Sequence, residues 1–170
     1  MFLPAIGVNS FQGDSGQNFG PGLRFSALAG SRVVENVSLN VGFAFDLVNL
    51  DSSFGADASD YVFELGFNPL FHLPLENVEI LAGPIGGVWL DKGARGQGLG
   101  QSDLWTYGWT VGANAGAFFP VSPKVRLGGL VNFFYRDPLK SCVTANGSET
   151  CLSSGVPSLK VLSLAFAVML

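Results

Sequence analysis

The sequence predicts an all-β chain: eight antiparallel strands in an up-and-down β-barrel that crosses a membrane, with short turns at one end and long loops at the other. Three observations carry this prediction. Apolar residues recur at the strand period: Trp105, Tyr107, Trp109, Val111, Ala113, Ala115, Ala117 and Phe119 share one face, opposite Thr106, Gly108, Thr110, Gly112, Asn114 and Gly116. The opposite face carries Gly, Thr and Asn where a soluble sheet shows Lys and Glu, so the apolar face fits an outside made of lipid. Only 13% of the 170 residues are charged, against roughly 25% in an average soluble domain. No run approaches the roughly 18 to 20 apolar residues of a membrane helix, so a crossing must be made by strands.

The elements follow in order. A first strand covers Phe2 to Phe11, with Phe2, Pro4, Ile6 and Val8 opposite Leu3, Ala5, Gly7 and Asn9. After the polar Gln12 to Phe19, a second strand runs from Gly20 to Ala29, with Leu23, Phe25 and Ala27 opposite Arg24 and Ser26. The turn G-S-R-V-V-E-N leads to a third, Val37 to Leu50, where Val37, Leu39, Val41, Phe43, Phe45 and Leu47 alternate with Ser38, Asn40, Gly42, Ala44, Asp46 and Val48. Beyond the loop Asp51 to Ser59, the fourth sets Tyr61, Phe63, Leu65 and Phe67 against Val62, Glu64, Gly66 and Asn68, and ends near Phe71. The turn H-L-P-L-E-N gives way to a fifth, Val78 to Leu90, with Val78, Ile80, Ala82 and Val88 out and Glu79, Gly83, Gly87 and Trp89 in. The glycine-rich Asp91 to Ser102 lacks the Lys-Ser/Thr end of a phosphate loop and reads as a flexible connection. The sixth and seventh strands form a hairpin from Asp103 to Tyr135 about P-V-S-P. Arg136 to Ser158 reads as the longest loop, and Lys160 to Leu170 as the eighth strand.

Connections thus alternate long and short, and the three short turns resemble one another at hairpin spacing. A meander with short turns at one end and polar loops at the other resembles the small outer-membrane barrels of the OmpA transmembrane-domain, OmpX and OmpW kind. The resemblance spans the chain as one barrel domain, residues 1–170, and is one of pattern. It departs at the end, where L-A-F-A-V-M-L finishes on Leu170 and not on an aromatic residue. The N-terminal M-F-L-P-A-I-G-V has no basic region or cleavage site, as expected of a mature chain without its export signal. The resemblance implies a bacterial outer-membrane location, turns toward the periplasm and loops outside. It also implies outer-membrane lipids and lipopolysaccharide as partners, together with other outer-membrane proteins.

Apolar faces turned outward direct Arg24, Asp46 and Glu64 into the lumen near the loop end. Glu79, Arg126, Asn40, Asn114 and Asn132 are expected in its lower half. Eight strands leave room for side chains alone, so these groups are expected to pair and fill the barrel. Tyr61, Trp89, Trp105, Tyr107, Trp109 and Tyr135 fall near the loop ends and are expected to form an aromatic girdle, with Phe2, Phe71, Phe118 and Phe119 at the turn end. Cys142 and Cys151 are the only cysteines, and their closeness in a Ser/Thr-rich segment suits a loop disulfide better than a metal site.

No cofactor is called for. The sole histidine, His72, lies in a short turn, away from the outer rim where lipid-modifying barrels need a general base, so catalysis is not expected. The net charge of −4 gives no footprint for nucleic acid. A structural or loop-mediated binding role leads. The alternatives are a narrow ion or apolar-solute channel, which the OmpW resemblance implies, and a soluble lipocalin-like barrel with its faces reversed.

Overall fold

The computed structural model describes residues 1–12, 19–50, 59–95, 102–145, 147–153 and 155–170. Nine strands carry them: β1 (Phe2–Gln12), β2 (Phe19–Val34), β3 (Val37–Leu50), β4 (Ser59–Pro74), β5 (Glu79–Arg95), β6 (Ser102–Ser122), β7 (Val125–Ala145), β8 (Ser148–Leu152) and β9 (Leu159–Met169). Every pairing is antiparallel, each strand of the meander lies beside the next, and β9 closes the ring by pairing with both β1 and β7. The barrel therefore has the eight strands that the alternation predicts, and β8 stands outside the ring, paired to β7 alone among the described residues. Most of the three polar loops, at 13–18, 51–58 and 96–101, lies outside the described residues.

The segment from Arg136 to Ser158 departs from expectation. Its first ten residues continue β7, and Ser148–Leu152 folds back on them as β8. The sequence there is polar and holds Asp137-Pro138, which reads as a strand end. A register shift opposite Tyr107 and Gly108 absorbs the interruption and lets the ladder go on. The short turns are tighter than expected too, with Glu35 and Asn36 alone between β2 and β3, and His72 inside β4.

The register fixes the tilt. From Phe2 the hydrogen-bonded rung passes through Ala29, Val41, Phe67, Gly86, Val111, Tyr135 and Lys160 and returns to β1 at Gln12, ten residues along the strand. A stagger of that size over eight strands tilts them by about 40° and makes each rung climb toward the loop end on its way round. The 21 residues of β6 and of β7 then rise roughly 50 Å at about 3.3 Å each, twice the roughly 25 Å apolar band of such barrels. The loop-side ends of β6 and β7, with β8 on their flank, stand above the lipid.

The outward residues are those that the alternation assigns. Ile6, Val8, Val41, Phe43, Leu65, Phe67, Val88, Val111, Phe133, Leu164 and Phe166 are exposed, while Asn9, Asn40, Ala44, Asp46, Glu64, Asn114 and Asn132 on the alternate positions are buried. An outer surface this apolar is stable only against lipid, and a closed ring leaves no unpaired barrel edge within it.

Candidate functional site

The lumen is filled in layers. Beneath a buried cluster of Val48, Val62 and Trp89 at the loop end, Arg24 on β2, Asp46 on β3, Glu64 on β4 and Arg136 on β7 form a buried quartet. The Arg24 guanidinium donates to Asp46 Oδ1 and Oδ2 at 2.9 and 3.0 Å and to Glu64 Oε1 at 3.2 Å. From the far side of the ring, Arg136 donates to Asp46 Oδ2 at 2.6 Å and Glu64 Oε2 at 2.8 Å. Two cations and two anions cancel, as a site shut from water requires. The buried Phe134 ring presents its face to both guanidiniums, 4.8 Å from Arg24 Cζ and 4.9 Å from Arg136 Cζ.

Below the quartet is a cavity of about 40 Å³ bordered by Glu64, Gly66, Asn68, Asn114, Leu130 and Asn132. Asn114 and Asn132 are cross-strand neighbours, so they belong to this middle layer with Arg24 and Glu64, not to the lower half with Glu79. Asn68 Oδ1 and Asn114 Oδ1 are buried without a protein partner, and the space takes two or three waters at roughly 10–15 Å³ each. An apolar layer follows, built by Leu3, Leu70, Leu81, Phe118, Leu130 and Met169, all at most 5% exposed.

The turn end is closed by a second polar network centred on Glu79. Arg32 donates to Glu79 Oε1, and Arg126 Nε forms an ion pair with Oε2 at 3.2 Å. His72 joins Glu79 through Nδ1 at 2.7 Å and Ser38 Oγ through Nε2 at 2.8 Å, and Asn40 Nδ2 donates to Ser38 Oγ and to the Asn68 carbonyl. Ser38, His72 and Glu79 follow the order of a hydrolase relay. The Ser38 hydroxyl is fully buried beneath His72 and Asn40, so no substrate atom reaches it in this arrangement.

The upper set Arg24, Asp46 and Glu64 is thus brought together, and so are Glu79 and Arg126. The alternation also holds residues that the expected network lacks. Arg32 continues Arg24, Ser26, Leu28 and Gly30; His72 continues Asn68 and Leu70; Arg136 continues Asn132 and Phe134. Each lies just past the expected end of its strand, at Ala29, Phe71 and Tyr135. His72 is accordingly a buried lumen residue and not a solvated turn residue.

At the outer rim Tyr61 and Tyr107 are exposed and Trp105, Trp109 and Tyr135 half-buried, all on the outward face. Trp105 stacks on Tyr107 with centroids 5.8 Å apart. Trp89 is a correction: it points into the lumen, 5% exposed, and donates its indole N–H to the Trp109 carbonyl at 3.0 Å. Its parity with Glu79, Gly83 and Gly87 requires this. Phe118, likewise, is part of the apolar layer and not of the lower girdle. Cys142 and Cys151 face each other across β7 and β8 and are joined as a disulfide.

A single closed ring of eight tilted strands, apolar outside and filled within, decides the fold class. The chain folds as a small outer-membrane β-barrel. No protein-family model and no curated protein matches the sequence. Among solved structures, the Neisserial surface protein A, NspA, is 15% identical with TM-score 0.66, over 98% of this chain and 94% of that one. A major outer membrane protein of Thermus thermophilus is 11% identical with TM-score 0.68, over 99% of both chains. Ail, the attachment invasion locus protein of Yersinia pestis, is 13% identical with TM-score 0.54, over 99% of this chain and 93% of that one. A closed transmembrane barrel with short turns at one end and extended hairpins at the other is built for the bacterial outer membrane, and that is where this barrel belongs.

Proposed function

We propose that this chain is a sealed outer-membrane barrel that acts as a structural or surface-binding component through what it raises above its outer rim. The observation that carries the reading is the filled lumen, in which polar and apolar layers alternate. An ion entering from outside meets the Val48, Val62 and Trp89 cluster, then the paired quartet, then the Leu70, Leu81 and Phe118 layer, then the Glu79 network. Among the described residues, the part of the outer surface that rises above the rim is the loop-side end of β6 and β7 with β8, joined by the Cys142–Cys151 disulfide. Specificity carried on elements above a stiff scaffold suits a binding role. Two proteins with this fold are named a surface protein and an attachment invasion locus protein, which agrees with it.

Reconstitution into planar bilayers tests the sealing. We expect no resolved conductance steps at neutral pH, and steps carried by folded protein would overturn the reading in favour of an ion path. Uptake of a small apolar solute by proteoliposomes above the empty-vesicle rate would favour the conduit instead. Recovery of folded protein without detergent would remove the membrane assignment altogether.

A further inference from the structure

We propose that the outer rim between β5 and β7 binds the phosphate of an outer-leaflet lipid, with an acyl chain of the same molecule in a groove directly beneath. The inference rests on the membrane placement of the preceding subsection and assigns one face of the barrel to one lipid chemistry.

The groove lies on the lipid-facing surface. It has a volume of about 430 Å³ and is walled by Phe43, Phe63, Leu65, Val88, Leu90 and Tyr107. Its far wall is Leu139, the residue that the register shift between Tyr107 and Gly108 leaves over, turned outward and 51% exposed. A bulge commonly re-aims a side chain in this way. A larger apolar hollow between Ile80, Ala115, Val131 and Leu164 lies lower on the barrel, whereas here the extra residue lifts one wall of a trough that reaches the rim.

Two cations crown that trough. Lys92 follows Leu90 by two residues on the same face of β5, and Lys140 pairs directly with Tyr107. The rung climbs as it goes round, so the two lysines on β5 and β7 come within about 2 Å of the same height for a tilt of about 40°. Tyr107 and Trp105 stand between them. Lys140 Nζ is 5.6 Å from the centre of the Trp105 ring, which itself stacks on Tyr107, so the ammonium is held at the rim. Among the described residues neither lysine has a carboxylate within 4.0 Å.

The acids on this face are placed apart from the pair. Asp103 lies two residues beyond Trp105, and Glu149 on β8 accepts the Trp105 indole N–H at 3.0 Å, both on the watery side. Asp137 is opposite Trp109, one alternate position below Tyr107. Lys92 and Lys140 thus flank the trough at the level of the aromatic girdle, where lipid headgroups lie, with Asp137 below them opposite Trp109. Cations at headgroup level directly above an apolar trough fit a phosphate-bearing lipid better than a neutral one or a peptide.

The test counts lipids held by the purified, refolded barrel, released from detergent into native mass spectrometry. The probe is a bisphosphorylated, acylated glucosamine disaccharide, compared with the same lipid after removal of its phosphates. We expect the phosphorylated form to be retained about ten- to thirtyfold better, from roughly one kcal/mol for each lysine near the surface. The double variant Lys92→Gln, Lys140→Gln should lose that preference, and Lys92→Arg, Lys140→Arg should keep it. Val88→Trp, which fills the trough, should lower retention of both forms, and Lys124→Gln at the opposite turn should change neither. Wild-type preference in the glutamine double variant would overturn the proposal. So would an equal loss in Lys124→Gln, since net charge alone would then explain binding. Full displacement of the lipid by millimolar inorganic phosphate would overturn the role of the groove. Heat-modifiable migration on a gel establishes that each variant is folded, so failure here is distinct from failure of the membrane reading.

Discussion

Replacing Arg136 with Met tests whether the upper lumen is one charge-balanced unit. The side chain is 1% exposed and makes two charge-assisted hydrogen bonds, at 2.6 Å to Asp46 and 2.8 Å to Glu64. Its loss leaves two carboxylates with Arg24 alone, one net negative charge sealed between the barrel wall and Phe134. Breaking a buried pair on one side costs about 3–5 kcal/mol, most of it from the uncompensated charge. Neutralising Glu64 in the same chain removes that excess, because Arg24 keeps both of its bonds to Asp46, at 2.9 and 3.0 Å. Glu64→Gln alone leaves the opposite imbalance, one net positive charge. We therefore expect Arg136→Met with Glu64→Gln to be more stable than Arg136→Met, with a coupling of about 2–3 kcal/mol. Denaturant titration in lipid vesicles, followed by the fluorescence of the three tryptophans, measures all four corners of the cycle. Strict additivity would refute the charge-balance argument. A cost below about 1 kcal/mol for Arg136→Met would mean that water reaches the quartet and screens it, as at a surface pair.

Two further predictions concern the hairpin and the glycines. Serine at both Cys142 and Cys151 frees a link spanning nine residues, worth about 2–3 kcal/mol by loop entropy; amide exchange should quicken up to about a hundredfold in β8 and the facing end of β7 while β1 to β4 stay protected, and a fall in protection round the whole ring would contradict a local staple. Gly112 faces the lumen, where a Cβ would run into the Phe133 carbonyl and the Phe134 side chain, whereas a Cβ on the lipid-facing Gly86 meets nothing within 4 Å. Gly112→Ala should lower the unfolding midpoint by the equivalent of about 1–3 kcal/mol and Gly86→Ala should leave it unchanged or slightly raised, and the reverse order would show that the faces are misassigned.

The fold was legible because the period-2 signal is redundant. Phe43, Phe45 and Leu47 against Gly42, Ala44 and Asp46 assign faces within one strand, and every neighbouring strand repeats the assignment. The ends of the strands were not legible, because there the local signals contradict the ladder. Gly30 and Arg32 read as a turn, and Asp137-Pro138 as a strand end. Backbone pairing with neighbours already in register overrides such local preferences. That single kind of error hides Arg32, His72 and Arg136, all of which lie on the inward parity of strands ended too soon. Trp89 carries two signals, inward parity with Glu79 and closeness to a strand end, and parity alone places it correctly. The pairing of Arg24 with both Asp46 and Glu64 could be expected from charge balance alone. The crossing of the lumen by Arg136 could not, because which strands face one another across the ring depends on closure and stagger.

The order of the layers bears on transport more than the chemistry of any one of them. Paired charges are a poor seal by themselves, since Arg24 and Arg136 share the same two carboxylates and an exchange of partners leaves the quartet balanced. An ion or a file of water could follow such an exchange. The layer of Leu3, Leu70, Leu81, Phe118, Leu130 and Met169 offers no partner to exchange, and the polar groups beside it, Asn40 and Ser38, are tied to the Asn68 carbonyl and His72. Its opening would need side chains on several strands to leave close packing together, in a barrel too narrow to receive them elsewhere. The polar layers above and below answer another need. With apolar residues committed to the lipid face, a lumen that was apolar throughout would give the chain two equivalent faces, and a slip by one residue would cost little. Arg24, Asp46, Glu64 and Arg136 above, and Glu79 with Arg32, His72 and Arg126 below, pin the register at two heights, because a slip would turn these groups into hydrocarbon. The charges hold the strands in register, and the apolar layer between them is what closes the barrel.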